Sequence, residues 1–198
     1  MIDVTTMDDQ LKRILSSRRK KQLINKKLHA AAVLVPLFYD GKEYRVLLTR
    51  RSHEVFHHKG QISFPGGKPS KSDANLLDTA VRESWEEIGL QAKDVEIIGE
   101  LDDTPTKITG FNISPFVALI PYPYQFIRNP HEIDEILDMP LAAFIDTSRC
   151  KQGMAENDSE QISDFRYECD GQTIWGATAR IIKQLVDTLR SAPGAREQ

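Results

Sequence analysis

The chain has few cysteines, little net charge and only short apolar runs, and each shortage excludes a class of protein. Its two cysteines, Cys150 and Cys169, are too few for a disulfide framework, and neither lies in a CxxC or Cys/His cluster typical of zinc sites. We therefore expect reduced thiols and a cytoplasmic location. The apolar run 30–38 is too short to span a bilayer and follows a charged segment unlike a signal peptide, so no membrane partner is expected.

The charge balance argues against a general nucleic-acid-binding protein. A formal net charge of -3 and a pI near 6.0 do not provide the net basic surface that binding to phosphate backbones needs, so no nucleic-acid partner is expected. With 198 residues, 40% hydrophobic and 28% charged, the chain is instead typical of one globular domain with a sizeable core.

Composition divides the chain into a leader, a domain and a tail. Residues 1–28 form a helical basic leader that contains "SSRRKKQLINKK", residues 29–190 form the domain, and residues 191–198 form a flexible tail. The basic run is either a solvated helix face or a contact for a polyanion or acidic lipid. The leader either docks on the domain or pairs with another subunit, which leaves a homodimer as one alternative.

The domain alternates strand-like and helix-like segments. The strand-like runs are "AAVLVPLF", "YRVLLT", "QISF", "VEIIGEL", "FNISPFVALI" and "HEIDEILDM". A short helix is predicted at "PLAAFI", a hairpin that turns at Asp170-Gly171 in "DFRYECDGQTIW", and a final helix in "GATARIIKQLVDTLR". This alternation predicts an α/β fold in which a mixed sheet lies between helical layers.

One helix carries the chemistry. Spacing predicts a helix over 73–88, with Ser72 or Asp73 as its N-cap and Gly89 as its C-terminal stop. Its apolar stripe of Leu77, Val81 and Ile88 places the glutamates of "RESWEEIGL" on the side away from the core, and Trp85 beside the stripe as a packing residue.

Glu83, Glu86 and Glu87 lie within about one turn and repel one another unless a cation neutralises them. They either face water or bind metal. The helix follows a "PGG" turn, and glycines at such a turn can expose the carbonyls of Gly66 and Gly67 beside the carboxylates. An all-oxygen set of this kind favours Mg²⁺ or Mn²⁺, ions that bridge phosphate oxygens.

These residues resemble the Nudix box, G-x5-E-x7-R-E-U-x-E-E-x-G-U with U aliphatic. The second half of the box matches at Arg82, Glu83, Glu86, Glu87, Gly89 and Leu90, with Ser84 at an aliphatic position. In the first half, the acidic position falls on Asp73 and the loop is one residue longer. The upstream segment "LLTRRSHEVFHHKGQISFPGGKPS" resembles the signature of the coenzyme A pyrophosphatase branch, LLTxRSx3Rx3Gx3FPGGxxD, with Phe56 where that signature has Arg and Ser70 where it has Asp.

The resemblance implies a Nudix α/β/α sandwich and assigns roles. Metal ligands are expected at Glu83, Glu87, Glu86 and the Gly67 carbonyl, and the catalytic group at Glu86, Glu83, Arg82 and Glu135. The general base stays open among Glu86, Glu132 and Glu135, while Arg82 orients a box carboxylate. Substrate contacts are expected from Arg51, Gln61, Phe64 and Gly66.

The implied activity is Mg²⁺- or Mn²⁺-dependent hydrolysis of a diphosphate in a small nucleotide-type substrate. Coenzyme A or acyl-CoA would give 3',5'-ADP and (acyl-)4'-phosphopantetheine. ADP-ribose, a dinucleotide or another nucleoside diphosphate derivative is the alternative substrate class. A noncatalytic nucleotide-binding regulator is the alternative from outside the enzymes.

Overall fold

A computed structural model describes residues 4–54, 59–146, 148–157 and 162–191, so Phe56 and all of the predicted tail except Ser191 lie outside the described residues. The helices are α1 (Val4–Ser16), α2 (Leu76–Ile88), α3 (Leu141–Ile145) and α4 (Gly176–Arg190), and Ala92–Asp94 forms a 3-10 turn. The strands are β1 (His29–Tyr39), β2 (Tyr44–Arg51), β3 (Ile62–Ser63), β4 (Gly66–Gly67), β5 (Glu96–Glu100), β6 (Thr104–Pro105), β7 (Phe111–Leu119), β8 (Ile133–Pro140), β9 (Cys150–Asn157), β10 (Ile162–Cys169) and β11 (Gln172–Trp175).

The main sheet is mixed. Its strands follow the order β3-β2-β1-β7-β5, with β8 paired to β2, β4 to β1 and β6 to β7. The pair β1–β7 is parallel, from His29 opposite Phe111 to Leu37 opposite Leu119, and the other pairs are antiparallel. A second sheet, in the order β11-β10-β9, includes the predicted hairpin, which turns at Asp170 and Gly171 with positive φ at both residues.

Strand alternation places one apolar core on each face of the main sheet. Leu34 and Phe38 of β1 pack in a cluster with Ile88 of α2, whereas Val35 and Leu37 belong to the larger cluster that includes α1, α3, α4 and the second sheet. The molecule is therefore an α/β/α sandwich around a mixed sheet, and the predicted fold class is confirmed.

The leader lies against the domain. Its helix α1 buries Leu11 and Leu15 in the larger core, and a Cβ built on Gly99 of β5 would lie only 2.8 Å from the Leu15 Cβ. Within the single chain, the leader helix thus packs on its own domain, and pairing with another subunit stays a prediction. None of the described helices is long and apolar enough to cross a membrane.

The expectation of reduced thiols is wrong in the structure, where Cys150 and Cys169 form a disulfide. The two residues lie directly opposite each other on β9 and β10, with Cα atoms 4.5 Å apart, a separation that disulfide geometry accepts. The sequence analysis predicted no strand at β9, so nothing placed the two cysteines side by side.

Helix α2 begins later than predicted. Asn75, not Ser72 or Asp73, is the N-cap, and its side chain accepts a hydrogen bond of 3.0 Å from the Asp78 backbone N–H. The C-terminal stop is confirmed, because Gly89 adopts φ 71°.

Asn75→Ala is expected to lower the free energy of unfolding by about 1 kcal/mol, because one N-terminal N–H of α2 loses its side-chain acceptor. Ser72→Ala is the matched control, since Ser72 lies in the loop before the helix and does not cap it. Urea unfolding measures both variants. Equal losses in the two would contradict the assigned cap.

Candidate active site

The "PGG" turn lies between strand β1 and the glutamate helix α2. Its glycines pair with β1, with Gly66 opposite Val33 and Gly67 opposite Ala32. Gly66 has φ 152°, and a Cβ there would overlap the Ala32 carbonyl and lie 2.6 Å from the Val33 Cα. A Cβ on Gly67 would instead lie 2.5 Å from Glu83 Oε2. The absence of both side chains lets the turn lie directly against a carboxylate of α2.

Glu87 faces the core, which corrects the prediction that all three glutamates point away from it. Only 2% of the Glu87 side chain is exposed, because α2 turns Ala80, Ser84 and Glu87 toward the sheet. The small Ser84 is fully buried at the position where the Nudix box is aliphatic. Trp85, predicted to pack, is 54% exposed instead.

Glu87 has few partners for a buried carboxylate. Its Oε2 accepts a hydrogen bond of 3.2 Å from the Gly66 backbone N–H, and its Oε1 lies 3.6 Å from Arg51 Nη1. Burial raises the pKa of Glu87 to about 8, although Arg51 and the Gly66 N–H both act to lower it. The protein alone therefore does not compensate this charge.

Arg82 organises the outer part of the helix. Its guanidinium donates to both carboxylate oxygens of Asp73, at 2.9 and 3.0 Å, and to the Lys68 carbonyl at 3.0 Å. It also lies 2.8 Å from Glu83 Oε1 and 2.9 Å from Glu86 Oε2. The hydrogen bond from Arg82 holds the pKa of Asp73 well below its usual range. The prediction that Arg82 orients box carboxylates agrees with these contacts.

Glu83 lies between the arginine and the glycine turn. Burial raises the pKa of Glu83, and the negative charges of Glu86 and Glu132 raise it further, while Arg82 opposes them. Glu83 and Glu87 are thus two carboxylates held beside the same turn, one against Gly67 and the other against the Gly66 N–H.

Glu86 lies on the outer side of the helix. Its carboxylate accepts a hydrogen bond of 2.9 Å from Arg82 and is 41% exposed. Across residues 4–54, 59–146, 148–157 and 162–191, no group of three or more His, Cys, Asp or Glu side chains is arranged to hold a metal ion. The metal ligands expected at Glu83, Glu86 and Glu87 therefore stay a prediction.

Glu132 approaches this site from another part of the chain. Its negative charge acts to raise the pKa of both Glu83 and Glu87, after the larger effect of burial. Its backbone carbonyl accepts from the Ser52 N–H at 2.8 Å, and the neighbouring Asn129 N–H donates to the Glu87 carbonyl at 2.9 Å. The turn that contains Glu132 is therefore fixed to the end of α2.

Glu135 is not brought to the glutamates of α2. It pairs with Arg50, with Oε2 3.1 Å from Arg50 Nε, and Arg50 also donates to Gln172 of the second sheet at 2.7 Å. Arg50 and Arg51 are adjacent in an extended strand, so they face opposite sides of the sheet, as predicted. Arg51 points to Glu87, and Glu135 lies on the other side.

The remaining predicted substrate contacts have different positions. Arg51 lies beside Glu87, and its buried Nε has no hydrogen-bond partner in the described part of the chain. The Gln61 carbonyl accepts from the Arg51 N–H at 3.0 Å. Phe64 is almost fully buried in the larger core, so its predicted substrate contact is replaced by a packing role.

Two groups at the site were missed by the sequence analysis. Thr79 donates to Asp73 at 2.9 Å, and the Lys68 carbonyl accepts from Arg82. Their spacing carries no signal, because both contacts depend on how the lengthened loop folds back over the helix. Only the match of Asp73 to the acidic box position pointed toward this network.

Comparison with known proteins agrees with this architecture. The family model of the NUDIX domain matches residues 28–164. A relative from Pectobacterium atrosepticum named "Uncharacterized Nudix hydrolase NudL" is 34% identical over 163 residues, 82% of this chain and 84% of the relative. A protein of the same name from Yersinia enterocolitica is 35% identical over 157 residues, 79% of this chain and 80% of that protein.

A solved structure shares the fold. The MutT/nudix family protein from Enterococcus faecalis superposes with a TM-score of 0.55 at 13% identity and covers 98% of this chain and 79% of its own. The glycine turn, the glutamate helix, the family model and the relatives lead to one conclusion. This chain belongs to the Nudix hydrolase family, whose members act on pyrophosphate linkages.

Proposed function

We propose that this hydrolase cleaves the diphosphate of coenzyme A or an acyl-CoA with the help of Mg²⁺ or Mn²⁺, giving 3',5'-ADP and (acyl-)4'-phosphopantetheine. The observation that carries the proposal is the contact of Arg51 and Gly66 with Glu87. This contact joins the upstream segment that resembles the coenzyme A pyrophosphatase signature to the glutamate helix. The relatives named above support the family assignment. The proposed substrate is based on the resemblance to the coenzyme A pyrophosphatase signature.

The donor set fits a divalent cation. Glu87 is buried and Glu83 is half-buried, and burial raises the pKa of both, so added positive charge would stabilise these carboxylates. These two residues and the Gly67 carbonyl would hold the ion, joined by Glu86 once it leaves Arg82. When bound, the cation would neutralise charge on the diphosphate and lower the pKa of a nearby water.

The residues around the carboxylates have distinct tasks in this proposal. Arg82 holds Glu83 toward Gly67 through the ion pair at 2.8 Å and is itself fixed by Asp73. Arg51, whose Nε has no hydrogen-bond partner among the described residues, donates to a phosphate oxygen of the substrate. Glu132, whose negative charge acts on both Glu83 and Glu87 and whose carboxylate accepts from the Asn129 side chain at 3.2 Å, takes the proton of the attacking water.

Glu132→Gln is expected to lower kcat by about a hundredfold, because a general base is removed while the fold is kept. Glu135→Gln is expected to change kcat by less than about threefold, since Glu135 pairs with Arg50 on the other face of the sheet. Steady-state kinetics of the two variants side by side measures the difference. A larger loss in Glu135→Gln would instead assign the base to Glu135, one of the three candidates that the sequence analysis left open.

A panel of substrates tests the proposed specificity. Coenzyme A, an acyl-CoA, ADP-ribose and a dinucleoside polyphosphate are incubated with the protein and Mg²⁺ or Mn²⁺, and the products are identified by mass spectrometry. We expect 3',5'-ADP from the coenzyme A substrates at the highest kcat/KM. Faster cleavage of ADP-ribose or the dinucleotide would remove the coenzyme A assignment. Binding without cleavage of any substrate would favour the noncatalytic regulator.

A further inference from the structure

The segment between α1 and β1 forms a surface that the active site does not use. It contains two aliphatic side chains, Leu23 and Ile24, which are 39% and 88% exposed. Four exposed cations flank them, Arg19 and Lys21 on one side and Lys26 and Lys27 on the other. We refer to these six residues as the basic patch.

The cations of the basic patch are not neutralised by the domain. Within the described residues, Arg19, Lys21, Lys26 and Lys27 form no ion pair. The neighbouring cations behave differently: Arg18 lies 2.7 Å from Asp102, and Lys20 lies 2.8 Å from Asp103. In "RRKK", the side chains of Arg18 and Lys20 therefore pair with the domain, whereas those of Arg19 and Lys21 are exposed.

The segment is held in place although it has no regular secondary structure. The Lys21 N–H donates to Asp102 at 2.8 Å, and the Leu23 N–H donates to Asp103 at 3.0 Å. The Leu23 carbonyl accepts from the Asn112 side chain at 3.1 Å. These hydrogen bonds of Lys21 and Leu23 to the domain fix the segment in a position that leaves Leu23 and Ile24 exposed. Two adjacent aliphatic side chains are thus exposed at a fixed place among four cations.

We infer that the basic patch docks the protein on an anionic lipid surface. Cations would contact the headgroups while Leu23 and Ile24 enter the boundary between headgroups and acyl chains, the combination by which peripheral proteins bind membranes. The chemistry favours lipid over nucleic acid, because none of the six residues of the patch is an aromatic on which a base could stack, and the 88% exposed Ile24 lies among the cations. In this inference the protein lies on the membrane surface and does not cross the bilayer.

The position of the basic patch determines which part of the protein would lie near the membrane. The patch leads directly into β1, whose residue Ala32 pairs with Gly67 of the catalytic turn. Ala32 lies three residue steps along the strand from His29, a distance of about 10 Å. Docking would therefore hold the glycine turn and Glu83 close to the lipid headgroups.

Vesicle sedimentation of the full chain tests the inference. With vesicles of phosphatidylglycerol and phosphatidylcholine, we expect binding at least about tenfold tighter than with phosphatidylcholine alone, and weaker at high salt. Lys26→Glu combined with Lys27→Glu should lower the affinity for the anionic vesicles about tenfold or more, and Ile24→Ser should lower it severalfold.

Matched controls separate the patch from general effects of charge. Lys93→Glu combined with Lys151→Glu changes two exposed lysines elsewhere, and Met154→Ser shortens another exposed apolar side chain. Both controls should bind like the unchanged protein, and thermal melting should show that every variant is folded. Equal binding to neutral vesicles, no binding to anionic vesicles, retention by RNA but not by vesicles, or an equal loss in the controls would overturn the inference.

Discussion

Glu87→Gln is expected to lower kcat/KM for diphosphate hydrolysis by about a thousandfold or more. The change keeps the size of a side chain that is almost fully buried but removes the charge that would hold the cation. A cation that stabilises phosphate charge is worth several kcal/mol of transition-state stabilisation, and each 1.36 kcal/mol is a factor of ten in rate. Steady-state kinetics at saturating Mg²⁺ or Mn²⁺ measures the loss.

The variant also separates catalysis from stability. An uncharged side chain is better suited to a buried site than an uncompensated carboxylate, so Glu87→Gln should be at least as resistant to thermal unfolding as the unchanged protein when no metal is added. Glu168→Gln, at a half-buried position of β10 in the second sheet, serves as the control and should retain activity. Normal activity in Glu87→Gln would exclude this residue as a metal ligand.

Gly67→Ala is expected to lower kcat/KM by on the order of a thousandfold. A Cβ at this position would lie 2.5 Å from Glu83 Oε2 and 2.6 Å from its carboxyl carbon, so the carboxylate must move away from the turn. Glu83 then moves away from Gly67 and loses the orientation that its ion pair with Arg82 gives it. Misplacement of a catalytic group by about 1 Å is enough for large rate losses. Hydrolysis of the preferred substrate is the measurement.

Two other glycines provide the comparison. Gly66→Ala should destabilise the fold by about 2 kcal/mol or more, since its Cβ would overlap the backbone of β1 and its φ of 152° disfavours any side chain. Gly153→Ala should leave both stability and activity unchanged, because its nearest neighbour would be 3.9 Å away. If Gly67→Ala resembled Gly153→Ala, the contact between the turn and Glu83 would have no role in catalysis.

The fold could be predicted from the sequence because its signals are local. Short runs rich in apolar and β-branched residues marked β1, β2 and β7, Asp170-Gly171 marked the hairpin turn, and Gly89 marked the end of α2. The N-cap was missed because Ser72, Asp73 and Asn75 are all good caps and only the path of the loop decides among them. Strand β9 was missed because "CKQGMAEN" has little β-propensity, and its partner β10 stabilises it instead.

The site was predicted less completely than the fold. The helical pattern suggested that the glutamates point outward. Glu87 is buried instead, and its carboxylate contacts the Gly66 N–H and Arg51, which belong to strands of the main sheet. The contact of Arg51 with Glu87 joins residues 36 positions apart in sequence and has no periodic signal. The position of Glu132 likewise depends on the hydrogen bonds of its turn to Ser52 and to the end of α2.

The central claim is that Glu83, Glu87 and the Gly67 carbonyl hold a divalent cation, and anomalous diffraction from crystals soaked in Mn²⁺ tests it most directly. We predict an anomalous peak between the two carboxylates and the glycine turn, and its loss in Glu87→Gln. Well-ordered Glu83 and Glu87 side chains with no peak beside them, still paired to Arg82 and Arg51, would contradict the claim.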